Sequence, residues 1–183
     1  LLDPMPEELV RYNRRSGDDF LGWLERNEYR VVFPVRKPDG TVVSLSTRYV
    51  GAGTPPIHEK KSLNLKGAST SGAAICRKEI ALLSTGDPEF SRDEIVLVEG
   101  GTDALAVTLA FDLGSLEGVV APAWALGAIG CGSAPATLRA FAPVVRGRTV
   151  HVALDTDEKG EEWVPATIAA AWEAGASRVT RLR

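Results

Sequence analysis

Nine residues, Ile95 to Asp103 (I-V-L-V-E-G-G-T-D), constrain this chain more than any others. Ile95, Val96, Leu97 and Val98 form an unbroken aliphatic run, the pattern of a strand buried on both faces of a parallel sheet. The run stops at a carboxylate, Glu99, followed by Gly100 and Gly101. From Thr102 the apolar residues change to helical spacing (Leu105, Ala106, Leu109, Ala110), with Thr102 or Asp103 positioned to cap the first turn. A charge at the carboxyl end of a buried strand, beside a permissive Gly-Gly turn, sits where open α/β sheets bind ligands. Taken alone, a solvated glutamate in a surface βα turn would explain the stretch as well.

The alternation continues downstream. Val119 to Ala123 reads as a short strand and Ala134 to Val145 as an apolar helix. Thr149 to Leu154 is a third strand, followed by Asp155-Thr-Asp157-Glu-Lys-Gly160. Glu161 to Ala174 is a helix with Val164, Ile168 and Ala171 along one stripe, and Arg178 to Leu182 is a fourth strand. Trp172 is expected in the core and Trp163 in flank packing. His151 reads as a sheet histidine. Strands alternating with helices imply crossover connections and a mainly parallel, doubly wound four-stranded sheet.

Upstream the pattern changes. Residues 1–29 read as a linker and a short amphipathic helix from Gly17 to Tyr29, with Phe20, Leu21, Trp23 and Leu24 toward one side. Arg30 to Val35 and Thr41 to Val50 are strand-like, joined by the turn signal Lys37-Pro38-Asp39-Gly40. Pro34 demotes the first to an edge or bulged strand. Gly51 to Ser71 reads as loop, and Ile80 to Ser84 as a further short strand. The expected division is a basic α+β subdomain over 30–93 and an α/β domain over 94–183.

Charge supports that division. The net charge of −3 hides nine Lys/Arg against two Asp/Glu between Arg30 and Lys78, and eight against fifteen from Glu79 onward. A basic module joined to an acidic one suits a polyanion on the first and cations on the second. No apolar run approaches membrane-spanning length, so no membrane partner is expected. Cys76 and Cys131 are too few and too isolated for a zinc site or disulfide framework, and a reduced cytoplasmic setting is expected. The chain reads as a fragment of a longer polypeptide.

Two strands of one parallel sheet end in carboxylates, and such ends share an edge. Asp155 and Asp157 are two apart, so in extended backbone they face the same way. Grouping them with Glu99 is costly unless a cation neutralises the charge, and Mg²⁺, a hard ion taking oxygen ligands, suits them best. Glu-Gly-x-x-Asp at one strand end with Asp-x-Asp-x-x-Gly at another is far more specific than either alone.

Ile95 to Arg183 resembles a Toprim domain, the metal-dependent module of bacterial-type primases, topoisomerases and some nucleases. Val98 to Asp103 matches its first motif and Asp155 to Gly160 its second. Arg30-Val-Val-Phe-Pro-Val-Arg36, the strand after it and Lys61-Ser-Leu-Asn-Leu-Lys66 are similar to the basic half of a replicative primase core, closer to the phage or plasmid type. There a Lys-Tyr-Leu-Asn-Ser segment stands where this chain has Lys-Ser-Leu-Asn-Leu. No cysteine-rich zinc-binding segment lies within these residues, and the acidic residues that primases carry after the fourth strand would fall beyond Arg183.

The resemblance implies a Toprim-like fold and synthesis of RNA primers from ribonucleoside triphosphates on single-stranded DNA, with Mg²⁺ or Mn²⁺. A replicative helicase, fused or separate, is the implied partner. Asp155 and Asp157 would be the main metal ligands, Glu99 a ligand or general base, and Asp103 a supporting carboxylate that also caps its helix. Arg36, Arg48, Lys60, Lys61, Asn64 and Lys66 would hold template or triphosphate. A Toprim nuclease or topoisomerase is the alternative, although Tyr12, Tyr29 and Tyr49 carry no motif marking a nucleophile. A non-catalytic DNA-binding scaffold is another.

Overall fold

The computed structural model describes residues 27–55, 60–65, 69–90, 93–112 and 123–183. The linker and most of the amphipathic helix expected before Tyr29 lie outside these, as do Lys66 and the Val119 end of the second expected strand.

Among the described residues eight strands form one sheet: β1 (Val31–Arg36), β2 (Val42–Arg48), β3 (Ser62–Asn64), β4 (Ala74–Ile75), β5 (Glu94–Glu99), β6 (Ala123–Ala128), β7 (Thr149–Ala153) and β8 (Arg178–Arg181). Their order is β3-β2-β1-β4-β6-β5-β7-β8. The expectation of a four-stranded, mainly parallel sheet is therefore corrected. The sheet is mixed: β6, β5, β7 and β8 pair in parallel, whereas β3, β2, β1 and β4 pair antiparallel. Among the described residues a single bridge, Ile75 to Gly127, joins the two sets. Pro34 does not put β1 at an edge. It lies between β2 and β4, with a register irregularity at Val35/Arg36, and β4 pairs only with Val35 and Arg36, leaving Pro34 unpaired on that side.

Helices cover both faces of the parallel half. α1 (Gly101–Asp112) lies with the layer of Phe33, Val35, Val96, Val98, Ala104 and Ala125. The other face buries Ile95, Leu97, Leu126, Val150 and Val152 against α2 (Ala134–Ala140), α3 (Ala142–Val145) and α4 (Glu158–Glu173). Consecutive β5 residues alternate between these layers, which is why the Ile95–Val98 run has no polar member. The helix expected over 134–145 is two helices meeting at Phe141. Pro143 has no N–H to continue the ladder and suits the first turn of a new helix.

Other expectations fail for local reasons. Among the described residues the second expected strand continues past Ala123 to Ala128, where small residues fit close beneath α1: a Cβ on Gly127 would lie 2.6 Å from the Gly100 carbonyl oxygen and 3.0 Å from Ala104 Cβ. Ile80 to Ser84 belongs to a 3-10 helix over Lys78–Thr85, with Ile80 and Leu83, three apart, both buried. The loop expected over 51–71 contains β3. Trp172 is 51% exposed, because the buried stripe of α4 follows Gly160, Val164, Thr167 and Ala171 and leaves position 172 on the outer face. Trp163 packs against the core as expected. His151 does lie in the sheet, its two ring nitrogens 2.6 Å from Glu94 Oε2 and Thr180 Oγ1, tying β5, β7 and β8 together. Both cysteines are free and buried. Among the described residues no helix is long and apolar enough to cross a membrane.

Candidate functional site

The parallel strands have β6 on one side of β5 and β7 on the other, so the chain reverses its direction of travel at β5. Ligands bind open α/β sheets at the carboxyl ends of strands flanking such a point. Here those ends carry Glu99 and Asp155.

A cavity of about 500 Å³ opens at this position. Its floor and acidic wall are Glu99, Gly100, Gly101, Thr102, Asp103 and Asp155, with Ala128 to Gly130 beside them. Its opposite wall is the β2–β3 ladder: Ser46, Arg48, Ser62 and Asn64. Ser46 is paired with Asn64 and Arg48 with Ser62, so these four polar side chains share one face of the ladder as a two-by-two patch. The Arg48 guanidinium donates to Ser62 Oγ at 3.2 Å, steadying it over the cavity.

Backbone geometry sets the acidic wall. Gly100 has φ +93°, a conformation that favours glycine, and its N–H donates to the Ala128 carbonyl. A Cβ on Gly101 would sit 2.6 Å from the Phe33 ring, so the basic half packs directly on this turn. In the second motif a Cβ on Gly160 would sit 2.1 Å from the Asp155 carbonyl oxygen. The last residue of Asp-x-Asp-x-x-Gly is thus glycine because the helix folds back onto the strand end.

The carboxylates feel one another. Burial raises the Glu99 carboxyl above its usual range; the Cys131 N–H opposes this, while Asp155 and Asp157 add to it and Lys159 works against them. Asp103 is also raised, by burial first and then by Asp155, with Arg48 opposing. Asp103 is solvent-exposed, so water screens much of its interaction.

The six basic and amide candidates separate. Arg48 and Asn64 line the cavity. Arg36 does not: it is 8% exposed and donates to the Gly40 carbonyl, bracing the Lys37–Gly40 turn. Lys60 and Lys61 are exposed just before β3 and are not on the cavity wall. Lys66 lies outside the described residues. Among the carboxylates, Asp157 is the one turned to another use. Its Oδ1 accepts the Gly160 N–H at 2.7 Å as the N-cap of α4, and it is not on the cavity wall. Sequence reasoning missed Ser46 and Ser62. Their signal was the polar alternation Ser-x-Ser-x-Arg on one strand facing Ser-x-Asn on the next.

The donor set can be tested against Mg²⁺. Among the described residues no three His, Cys, Asp or Glu side chains gather closely enough to form a metal cage. Mg²⁺ does not require one: it is commonly held by one or two carboxylates, retaining waters for phosphate to displace. Glu99 and Asp155, acidic, accessible and mutually repelling, meet that demand.

No protein-family model and no curated protein matches the chain. Among solved structures it is similar to a chain in the complex of bacteriophage T7 lagging-strand DNA polymerase interacting with primase domains of two gp4 subunits bound to an RNA/DNA hybrid and dTTP. The TM-score is 0.50 at 23% identity, over 83% of this chain and 64% of that one. It is also similar to the primase fragment of the bacteriophage T7 primase-helicase protein, with TM-score 0.49 at 21% identity, over 83% and 52%. The chain therefore spans less than two thirds of the solved chains it matches. At such identity the first likeness shows a shared fold and nothing more.

Proposed function

We propose that this chain is the catalytic core of a primase, joining ribonucleotides on single-stranded DNA by metal-dependent nucleotidyl transfer. One juxtaposition carries the reading: the Glu99/Asp103/Asp155 edge confronts the Arg48/Asn64 patch across a single cavity. A polyanion that must also meet a cation needs both walls.

In this reading Glu99 and Asp155 hold Mg²⁺ or Mn²⁺, and Asp103 supports them from the first turn of α1. When bound, such an ion offsets the charge that gathers on phosphoryl oxygens during transfer. Asp157 acts through α4, fixing the helix start and hence the Asp155 main chain. Arg48 and Asn64 hold phosphate and sugar of the triphosphate or template, and Lys60 and Lys61 attract nucleic acid from the flank without reading its sequence. Glu99 either shares the ion or takes the proton of the attacking 3′ hydroxyl. The T7 complex brings primase domains together with an RNA/DNA hybrid and dTTP, ligands of the classes this reading assigns here; a helicase, fused or separate, is the partner the reading implies. A strand-passage reading needs a tyrosine at the cavity. Tyr12 lies outside the described residues; Tyr29 is buried with its hydroxyl on the Lys60 carbonyl, and Tyr49 faces Glu28 and Ala52.

The test is incubation with ribonucleotides, Mg²⁺ and a single-stranded template. New oligonucleotides are expected, reduced about a hundredfold or more by Asp155→Ala. Undiminished synthesis by that variant would remove the acidic edge from the mechanism. Template loss would make the chain a nuclease, and a gel shift alone a DNA-binding scaffold.

A further inference from the structure

The opposite, amino-terminal edge of the parallel strands carries a second cavity, of about 480 Å³. It lies between the 3-10 helix over Lys78–Thr85 and the turn that follows α3 into β7. Ser84, Gly86, Asp87, Arg146, Gly147 and Arg148 line it. None of them belongs to the motifs at the carboxyl edge.

Arg148 is the unusual member. It is only 7% exposed, yet its guanidinium is held by neutral groups alone: Nη1 donates to the Val144 carbonyl at 2.7 Å and Nη2 to the Phe90 carbonyl at 3.2 Å. Its Nε is buried and has no hydrogen-bond partner. Among the described residues no carboxylate lies within ion-pair distance of it, and Asp93 acts on it only at longer range. Burial works against the charge, in the direction expected of an under-compensated cation. A buried charge of this kind is costly unless something of opposite sign completes it.

The surroundings indicate what would. Arg146, two residues away, is exposed at the same cavity and adds a second guanidinium. Gly86 and Gly147 have φ +73° and +77°, and no atom lies within 4 Å of where their Cβ atoms would be, so the wall between the arginines is open backbone. Asp87 is the opposing charge, and its Oδ1 is engaged by the Glu89 N–H at 2.9 Å. The exposed Arg146 guanidinium offers a fork that matches phosphate oxygens, and the Arg148 charge behind it, with N–H groups beyond those given to the two carbonyls, adds to the same positive field.

We propose that this cavity is a binding site for a small phosphorylated anion, a diphosphate group held between Arg146 and Arg148. The site is separate from the acidic cavity, needs no metal ion, and does not depend on the primase reading. The diphosphate could be free pyrophosphate or the tail of a nucleotide.

The test is calorimetric titration of the chain with inorganic pyrophosphate in EDTA, where the carboxyl edge has no metal to hold phosphate. Saturable binding is expected. Arg146→Ala, at an exposed position that leaves the fold intact, should weaken it about tenfold. Asp87→Asn should tighten it a few-fold by removing the opposing charge, and Asp155→Asn should leave it unchanged. Arg148→Lys should also weaken it if circular dichroism shows the variant folded. A nucleoside diphosphate binding more tightly than pyrophosphate, with the same Arg146 dependence, would assign the site to nucleotides; equal affinity would assign it to the phosphates alone. No saturation up to about 10 mM, near the weakest binding worth calling specific, would overturn the proposal. So would affinity indifferent to both Arg146→Ala and Asp87→Asn.

Discussion

The two motif turns look alike in sequence and work differently in the fold. Both run from a buried strand through a carboxylate and glycine into a helix. At the β5–α1 turn the acids, Glu99 and Asp103, both reach the cavity, and Gly101 makes room for a neighbour, the Phe33 ring from the antiparallel half. At the β7–α4 turn only Asp155 reaches the cavity; Asp157 caps the helix, and Gly160 makes room for the chain's own backbone. One turn is shaped by what packs on it from outside, the other by its own closure. A shared spacing of acids and glycines therefore does not imply shared duties.

Substitutions can break this contrast or sharpen it. The largest effect is expected at Gly160. An alanine Cβ there meets main chain, which has nowhere to go, so Gly160→Ala should cost about 3 kcal/mol or more. In a chain of this size that lowers the melting temperature by roughly 6–12 °C. A melting curve like that of the wild type would mean the close approach is relieved at no cost.

Gly101→Ala should cost less, about 1–2 kcal/mol, since a ring can move where backbone cannot. Pairing it with Phe33→Leu should recover part of the loss, a coupling visible in a double-mutant cycle of denaturant midpoints. Strict additivity would show that the ring is not what excludes the methyl group.

The smallest effect belongs to Asp157. Asp157→Ala should cost about 1 kcal/mol, the value of a helix cap, and Asp157→Ser should restore most of it. If its duty is the cap, primer synthesis should follow the same order and fall far less than in Asp155→Ala. Equal loss in Asp157→Ser and Asp155→Ala would return Asp157 to the metal.

Much of this was legible in the sequence because it rests on local rules. The Ile95–Val98 run declared a strand buried on both faces, and the Asp155–Gly160 stretch declared a strand end passing into a helix. The failures share a cause, tertiary context overriding local preference. Ala-Trp-Ala-Leu-Gly-Ala has no β-branched residue, and it is a strand because only small side chains fit beneath α1. Arg36 resembles its basic neighbours in sequence, but its place beside β4 turns it inward. Asp157 keeps an extended backbone, but as the residue before α4 it turns its carboxylate to the Gly160 N–H, a duty that the alternation of a strand does not foretell. The polar patch on β2 and β3 required knowing that Arg48 stands opposite Ser62, which no single strand reveals.

That one bridge, Ile75 to Gly127, joins the two halves among the described residues has a mechanical meaning. Each wall of the cavity is a stiff ladder, but across the seam they are held chiefly by packed surfaces, such as Phe33 on Gly101, and by the Thr137 hydroxyl on the Ala73 carbonyl at 3.2 Å. Among the described residues the two walls are thus coupled through side-chain packing more than through shared backbone hydrogen bonds, so the strength of one ladder does not underwrite that of the other.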